Sequence, residues 1–239
     1  MRRALLTCAL ALAGVAVTLT ALPVPAASAA THECDGLMVC VPVAGPWVVV
    51  PVLGAPRPRV EYQLSCPRGF IVGGLDAELS DREIDVSFAG RLGSPVNPGI
   101  TTSQAVVVSA TYVGAGAATA SVRPHLGCIP ASGGGGRVPT SVAAVFPPGQ
   151  PAERRVRTVR VRAGTSTVTQ ACRRDERLVA AAHAVAFFTA TPPGAPLAGG
   201  VRAIRSLHGS AVELRVRATA RSAAAHGVVQ VAAVCAGGR

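Results

Sequence analysis

Apolar and polar residues alternate along several stretches of this chain with the two-residue period of a β-strand. Between Val212 and Ala218 every second residue is apolar, and Glu213, Arg215 and Arg217 lie between them. The run from Val228 to Val234 is almost continuously apolar, which is typical of a strand buried on both faces. Segments 48–53 and 156–161 also favour strands. Short strands separated by Gly/Pro turn clusters, as at 93–99 and 192–194, predict an all-β sandwich.

The first 29 residues have the pattern of a secretory signal peptide. Arg2 and Arg3 precede a mostly apolar run over 4–22, and Ala27-Ser28-Ala29 is a typical cleavage site. We therefore expect cleavage after Ala29 and export. The alternative is a retained membrane anchor, since the run approaches the ~20 residues that a spanning helix needs. No later segment is long and apolar enough to span a bilayer, so no transmembrane segment is expected after cleavage.

The cysteines predict a disulfide framework. Cys8 lies early in the apolar run and is a poor acylation site, which leaves an even set in an exported chain. No C-x-x-C pair is present and no histidine lies at ligand spacing from a cysteine, so a zinc site is a poor alternative and no cofactor is expected. The set consists of Cys34, Cys40, Cys66, Cys128, Cys172 and Cys235.

The spacing of four of these cysteines suggests an internal duplication. Cys66 and Cys128 are 62 residues apart, and Cys172 and Cys235 are 63 apart. Segment 66–74 can be aligned with 172–181 with one insertion, and Ala105 and Ala211 each lie 39 positions after the first cysteine of their segment. The alternative is coincidence in a chain rich in alanine, valine and glycine. A duplication predicts the pairs Cys66–Cys128 and Cys172–Cys235, which leaves Cys34 to pair with Cys40.

The duplication also divides the chain. We predict a signal peptide over 1–29, a first β domain over 30–129, a Gly/Pro-rich linker over 130–151 and a second, arginine-rich β domain over 152–239. A phosphate-cradling role for the glycines of 133–136 is disfavoured, because no Lys-Ser/Thr follows them. The alanine-rich segment 178–188 favours a helix by composition, but its counterpart 71–74 does not, so we predict a strand there.

Both segments resemble a module found in uncharacterised secreted actinobacterial proteins. The resemblance rests on 66–74, which reads Cys-Pro-Arg-Gly, an apolar stretch and two glycines, and on a distant strand that ends in Cys128. The second segment departs from it, with Arg173-Arg174-Asp175 after the cysteine and alanines in place of the glycines. The resemblance implies a disulfide-bridged β module and assigns no activity.

Side chains that could carry catalysis are sparse. None of the five histidines lies in a recognisable catalytic motif, and His208-Gly209-Ser210 reads as a turn rather than as a nucleophile and base. One acidic cluster could supply the paired carboxylates of a glycoside hydrolase or the alternating oxygens of a calcium loop. It lacks the glycine and the distal glutamate of an EF-hand, so a solvated strand face is the plainer interpretation. The cluster comprises Asp76, Glu78, Asp81, Glu83 and Asp85.

Charge separates the two halves more sharply than any motif does. Residues 30–150 contain seven arginines and eight acids, whereas 151–239 contain fourteen arginines and four acids. So basic a half attracts polyanions such as cell-wall teichoic acids, anionic lipid surfaces or nucleic acid. Lysine is absent, and the alternative is that the arginines reflect the base composition of the coding DNA. The candidate polyanion-binding residues are Arg155, Arg157, Arg160, Arg162, Arg173, Arg174, Arg177, Arg215 and Arg217.

These observations together predict a secreted or cell-surface protein without catalytic residues. We expect a binding module whose basic second half associates with an anionic cell-wall polymer or membrane surface, with no specific nucleic-acid partner. A hydrolase that uses the acidic cluster is the second hypothesis, and a structural envelope component is the third.

Overall fold

The computed structural model describes residues 31–54, 56–90, 104–131 and 152–237, and within them the chain is mainly antiparallel β-sheet. The first half contributes β1 (Val41–Ala44), β2 (Trp47–Val50), β3 (Val60–Ser65), β4 (Phe70–Leu79), β5 (Ile84–Ala89), β6 (Ala105–Tyr112) and β7 (Ala120–Pro130). The second half contributes β8 (Ala152–Arg160), β9 (Gly164–Ala171), β10 (Glu176–Phe187), α1 (Ala195–Ala198), β11 (Val201–His208), β12 (Ala211–Ala218), α2 (Ala220–Ala224) and β13 (Gly227–Gly237). The predicted all-β fold is confirmed.

Three sheets build two sandwiches. A seven-stranded sheet has β7 paired with β4, β1 and β2, and continues through β10 and β13 to β8. The small sheet β3-β6-β5 belongs to the first half, and the small sheet β11-β12-β9 belongs to the second. Residues of β10 show how the small sheets pack on the large one. Ala184 and Ala186 share a buried core with residues of β3, whereas Phe187 shares a different core with residues of β12. The small sheets therefore cover opposite faces of the seven-stranded sheet.

The strands follow the sequence patterns. In β12, Val212, Leu214 and Val216 are buried while Arg215 and Arg217 are exposed, as the alternation predicts. Residues 178–187 are strand, so the strand prediction for this alanine-rich segment is right, and burial of Ala184 and Ala186 between sheets outweighs the helix propensity of alanine. Two of the predicted turn clusters, over 93–99, lie outside the described residues.

The two halves share strand order and disulfide register. The backbone N–H of Cys66 donates to Gln104 at 2.8 Å, and that of Cys172 donates to Ser210 at 2.9 Å. Val72 lies opposite Cys128 and Leu178 lies opposite Cys235, and a bulge follows at the same position in each pair of strands. The duplication of sequence stays a prediction. The pairing of strands β3 to β7 in the first half nevertheless matches that of β9 to β13 in the second.

Three disulfides are present, in the predicted pairs Cys34–Cys40, Cys66–Cys128 and Cys172–Cys235. In each half, the long bridge joins the end of the first strand of the small sheet, β3 or β9, to the last strand of that half, β7 or β13. This joins the two sheets of each sandwich covalently. Residues 1–29 and 132–151, the predicted signal peptide and most of the predicted linker, lie outside the described residues.

The halves contact one another directly. β2 pairs with β10 at Val48 and Trp47, so the seven-stranded sheet runs through both halves. Val60 and Tyr62 of β3 share a buried core with Ala184 and Ala186 of β10. The predicted boundary between two domains therefore falls within one continuous sheet, and independent folding of each half stays a prediction.

Polar groups complete this junction. The side-chain amide of Gln230 accepts from the backbone N–H of Gln63 at 2.6 Å and donates to the Gln63 carbonyl at 3.1 Å. It thus occupies the outer edge of β3 as a neighbouring strand would. Beside it, Arg154 of the second half, which is 5% exposed, donates to Glu61 of the first at 2.8 Å.

Candidate functional site

Most of the described arginines of the second half lie at its two ends. One end, called here the disulfide end, holds Cys172–Cys235 and the start of β10. The other, called the basic end, holds the turn between β8 and β9, the start of β11, the end of β12, and α2. Five exposed arginines lie at the basic end: Arg160, Arg162, Arg202, Arg217 and Arg221.

Acidic side chains are concentrated at the disulfide end. Arg155 forms a two-pronged ion pair with Glu176, one contact at 2.8 Å, and also contacts Glu153 at 2.5 Å. The Arg155 guanidinium lowers the pKa of Glu176 to about 2, so this pair stays charged at any moderate pH. Arg174 and Arg177 line a depression of about 410 Å³ there, together with Asp175 and Glu176. Positive charge is largely balanced at this end.

The nine predicted arginines are therefore divided by the fold. Arg155, Arg173, Arg174 and Arg177 lie at the disulfide end, and Arg157 donates to the Thr169 carbonyl at 3.3 Å. Arg160 and Arg162 lie at the basic end, and Arg215 and Arg217 point outward from β12 towards it. None of these four arginines forms an ion pair with a residue that the structure describes, and Glu213 is the one acidic residue of β12 on their face.

A depression of about 230 Å³ lies on the outer face of the small sheet β9-β12-β11. The pairing of the three strands determines which residues line it. Arg217 lies between Thr165 of β9 and Arg202 of β11, and Arg215 lies between Thr167 and Ile204. We call the three side chains Arg202, Arg215 and Arg217 the arginine face; none forms a hydrogen bond or ion pair with a residue that the structure describes.

Arg202 was not among the predicted residues, although the sequence holds a signal for it. Arg202 and Arg217 are placed symmetrically about Gly209-Ser210, where the chain turns from β11 into β12. Treating His208-Gly209-Ser210 as a hairpin turn, rather than only as a non-catalytic one, would have placed these two arginines opposite each other. Gly209 has the positive φ of 56° that such a turn uses.

The five carboxylates of the acidic cluster bind different partners. Glu83 accepts hydrogen bonds from the Tyr112 hydroxyl at 2.9 Å and from the Ala115 N–H at 3.1 Å. Asp81 accepts from the Glu83 N–H at 2.8 Å, and Asp85 lies on β5 opposite Thr111. Asp76 and Glu78 instead face the N-terminal segment and His125. The alternating acids thus have separate structural partners, and among the described residues they form no group of three or more that could hold a metal ion; the hydrolase hypothesis stays a prediction.

One convergent group of ionisable side chains lies elsewhere. His125 is 4% exposed and lies between two carboxylates, with Nε2 2.9 Å from Glu78 and Nδ1 3.7 Å from Glu33. The sequence contains no signal that these three residues meet, because Glu33 lies before the first strand and far from His125 in the chain. Glu33 and His125 are both buried, and their contact joins the N-terminal segment to β7.

Two glycines make that contact possible. Gly74 and Gly127 lie opposite each other on β4 and β7, and the backbone carbonyl of Glu33 rests against both. A Cβ at Gly74 would lie 1.7 Å from the Glu33 oxygen, and one at Gly127 would lie 2.0 Å from it. Only glycine allows the backbones to approach so closely.

The substitution Gly74→Ala is expected to lower the free energy of unfolding by about 1–3 kcal/mol, because the Glu33 backbone must move away. Gly73→Ala is the matched control, since a Cβ there would meet the side chain of Ile129 at 2.9 Å and not the backbone of the N-terminal segment. Denaturant unfolding measures both, and hydrogen exchange should quicken over residues 31–40 only in Gly74→Ala. Equal losses in the two variants would contradict the assigned contact.

Two further polar sites within the described ranges have structural surroundings. His183 is partly buried, and burial, helped by Arg205, lowers the pKa of its imidazole. The grouping of Cys172, Cys235 and Glu176 has metal-ligating atoms close together, but its sulfurs are joined in a disulfide and its carboxylate is bound by Arg155. Such a group offers no thiolate to a metal ion.

Comparisons with known proteins add no family. A scan against protein-family models found no match, and searches of curated proteins and of solved structures also found no similar chain. Within the described ranges, neither helix reaches the length or the apolar character required to cross a membrane. Functional inference therefore rests on the geometry of the chain itself.

Proposed function

We propose that this chain is an extracellular binding module that attaches to an anionic cell-surface polymer through the basic end of its second half. The observation that carries this proposal is the separation of charge within that half. Of the four carboxylates of this half, Glu153, Asp175 and Glu176 lie at the disulfide end and Glu213 lies on the half of β12 nearer that end, whereas the basic end presents five exposed arginines. Three disulfides suit an oxidising, extracellular compartment.

A cationic surface of this kind binds by releasing counterions from a polyanion. Each phosphate neutralised contributes to a linear fall in log affinity with log salt, so several contacts produce steep salt dependence. Arginines that are already paired, as Arg155 is with Glu176, add little. The first half carries a balanced charge, and we expect it to remain unbound and accessible.

The test compares two triple variants of the full chain. Arg160→Gln/Arg162→Gln/Arg221→Gln changes the basic end, and Arg173→Gln/Arg174→Gln/Arg177→Gln removes the same charge from the disulfide end. We expect the first to weaken binding to poly(glycerol phosphate) by about 10- to 100-fold at 50 mM salt and to lower the salt slope by about 2. The second should change either quantity much less.

Equal losses in the two triple variants would show that only net charge matters, and would overturn the assignment to the basic end. Wild-type binding that did not fall between 50 and 200 mM salt would overturn polyanion binding altogether. Titration calorimetry over this salt range measures both.

A further inference from the structure

Arg202 and Arg217 form a like-charged pair directly across two neighbouring antiparallel strands. Like charges in this position destabilise a sheet. Three other arginines of the second half have partners: Arg154 contacts Glu61, Arg155 contacts Glu176, and Arg205 donates to the Ala181 carbonyl. The arginine face has no such partner among the described residues. The fold therefore maintains an electrostatic cost that a bound anion would remove.

The third arginine lies where it can share that anion. Arg215 is two residues before Arg217 on β12, which places its Cα about 6–7 Å away along the strand and on the same face. Thr165 lies beside Arg217 on the other neighbouring strand, so a hydroxyl faces the same depression. Three guanidinium groups and a hydroxyl thus surround one shallow site of about 230 Å³.

We propose that this depression is a specific site for a phosphate group of the anionic polymer, an inference that rests on the proposed function. A phosphate is tetrahedral and presents oxygens in several directions, which three guanidinium groups from two strands bind together. A carboxylate has two oxygens in one plane and is satisfied by a single arginine. Ile204, 53% exposed at the edge of the depression, offers an apolar contact to the carbon atoms that join successive phosphates.

The test uses the full chain with two polymers of equal charge number, a glycerol phosphate oligomer and oligoglutamate. At 150 mM salt we expect wild type to bind the phosphate oligomer at least 10-fold more tightly. Arg202→Gln and Arg217→Gln should each remove most of this preference. Arg174→Gln, which removes an equal charge at the disulfide end, should retain it.

A second readout separates a binding site from a structural role. Without ligand, Arg202→Gln and Arg217→Gln are expected to raise the melting temperature, because each ends the like-charge repulsion. Arg174→Gln should leave it unchanged. A lower melting temperature in both arginine-face variants would overturn the inference, since the pair would then stabilise the fold.

The outcomes distinguish this inference from the proposed function. If wild type binds both polymers equally and with steep salt dependence, polyanion binding stands and the phosphate site is wrong. If neither polymer binds, the proposed function fails as well. Binding to phosphatidylglycerol vesicles without binding to the glycerol phosphate oligomer would overturn the polymer as the source of the phosphate.

Discussion

Replacing Gln230 with leucine is expected to lower the free energy of unfolding of the intact chain by about 2–4 kcal/mol. The substitution removes both hydrogen bonds that the Gln230 amide forms with the backbone of Gln63, and it also removes a bond to Thr158 at 3.1 Å. The N–H and C=O of Gln63 then lie in a partly buried junction without these partners, and each unsatisfied group costs about 1–3 kcal/mol.

The control is Gln170→Leu, which loses one long bond of 3.5 Å to a neighbouring carbonyl and should change stability by less than about 0.5 kcal/mol. Denaturant unfolding measures both variants.

The substitution Gln230→Leu also tests whether the halves fold independently. In an isolated fragment of residues 152–239, Gln230 has no Gln63 to bind and keeps only its bond to Thr158, so Gln230→Leu should cost about 1 kcal/mol or less. A full loss in that fragment would show that Gln230 acts within its own half.

Removing the Cys66–Cys128 disulfide by the double substitution Cys66→Ala/Cys128→Ala is expected to cost about 4 kcal/mol. The bridge closes a loop with a sequence separation of 62, and freeing so long a loop increases the entropy of the unfolded chain by about this amount. Both cysteines are also buried, so the bridge contributes packing between the two sheets.

The short bridge supplies the comparison. Cys34 and Cys40 are only 6 residues apart, and the same relation predicts a loss of about 2 kcal/mol for Cys34→Ala/Cys40→Ala. Guanidinium unfolding of both double variants gives the difference. If the short bridge proved as costly as the long one, its effect would have to come from the N-terminal segment docked on Gly74 and Gly127 rather than from loop entropy.

Local patterns in the sequence were sufficient for the strands and for the cysteine pairs. Alternation in 211–218 reports which face of a strand is wet, and the nearly equal spacing of two pairs of cysteines predicted the two long disulfides. The contact between the halves has no such signal, because β2 and β10 are far apart in the chain and pair over only two residues. One clue was available in Gln230, a polar residue within an otherwise apolar run, which predicts a specific partner.

The sequence predicted that the candidate site is made of arginines of the second half, but it identified only some of those arginines. Counting arginines identifies the basic half, but it does not distinguish a paired arginine from an unpaired one. Arg155 reads like Arg217 in the sequence, yet the fold brings Glu176 to the first and Arg202 to the second. The partners of the acidic residues were equally unpredictable, because Glu78 and Glu83 are close in sequence but contact His125 and Tyr112, respectively.

The arrangement of the disulfides also determines how the protein would respond to a pulling force. β7 and β13 run in opposite directions, so the described chain starts beside Cys128 and finishes beyond Cys235 at opposite ends of the large sheet. Tension between residues 31 and 237 would act along the strands and load the short β2–β10 contact in shear. The two long loops cannot extend while their bridges are intact, so mainly 41–65 and 129–171 would lengthen, by at most about 240 Å. A protein built in this way would yield first at the junction between its halves, while the two long disulfides would prevent the loops 66–128 and 172–235 from extending.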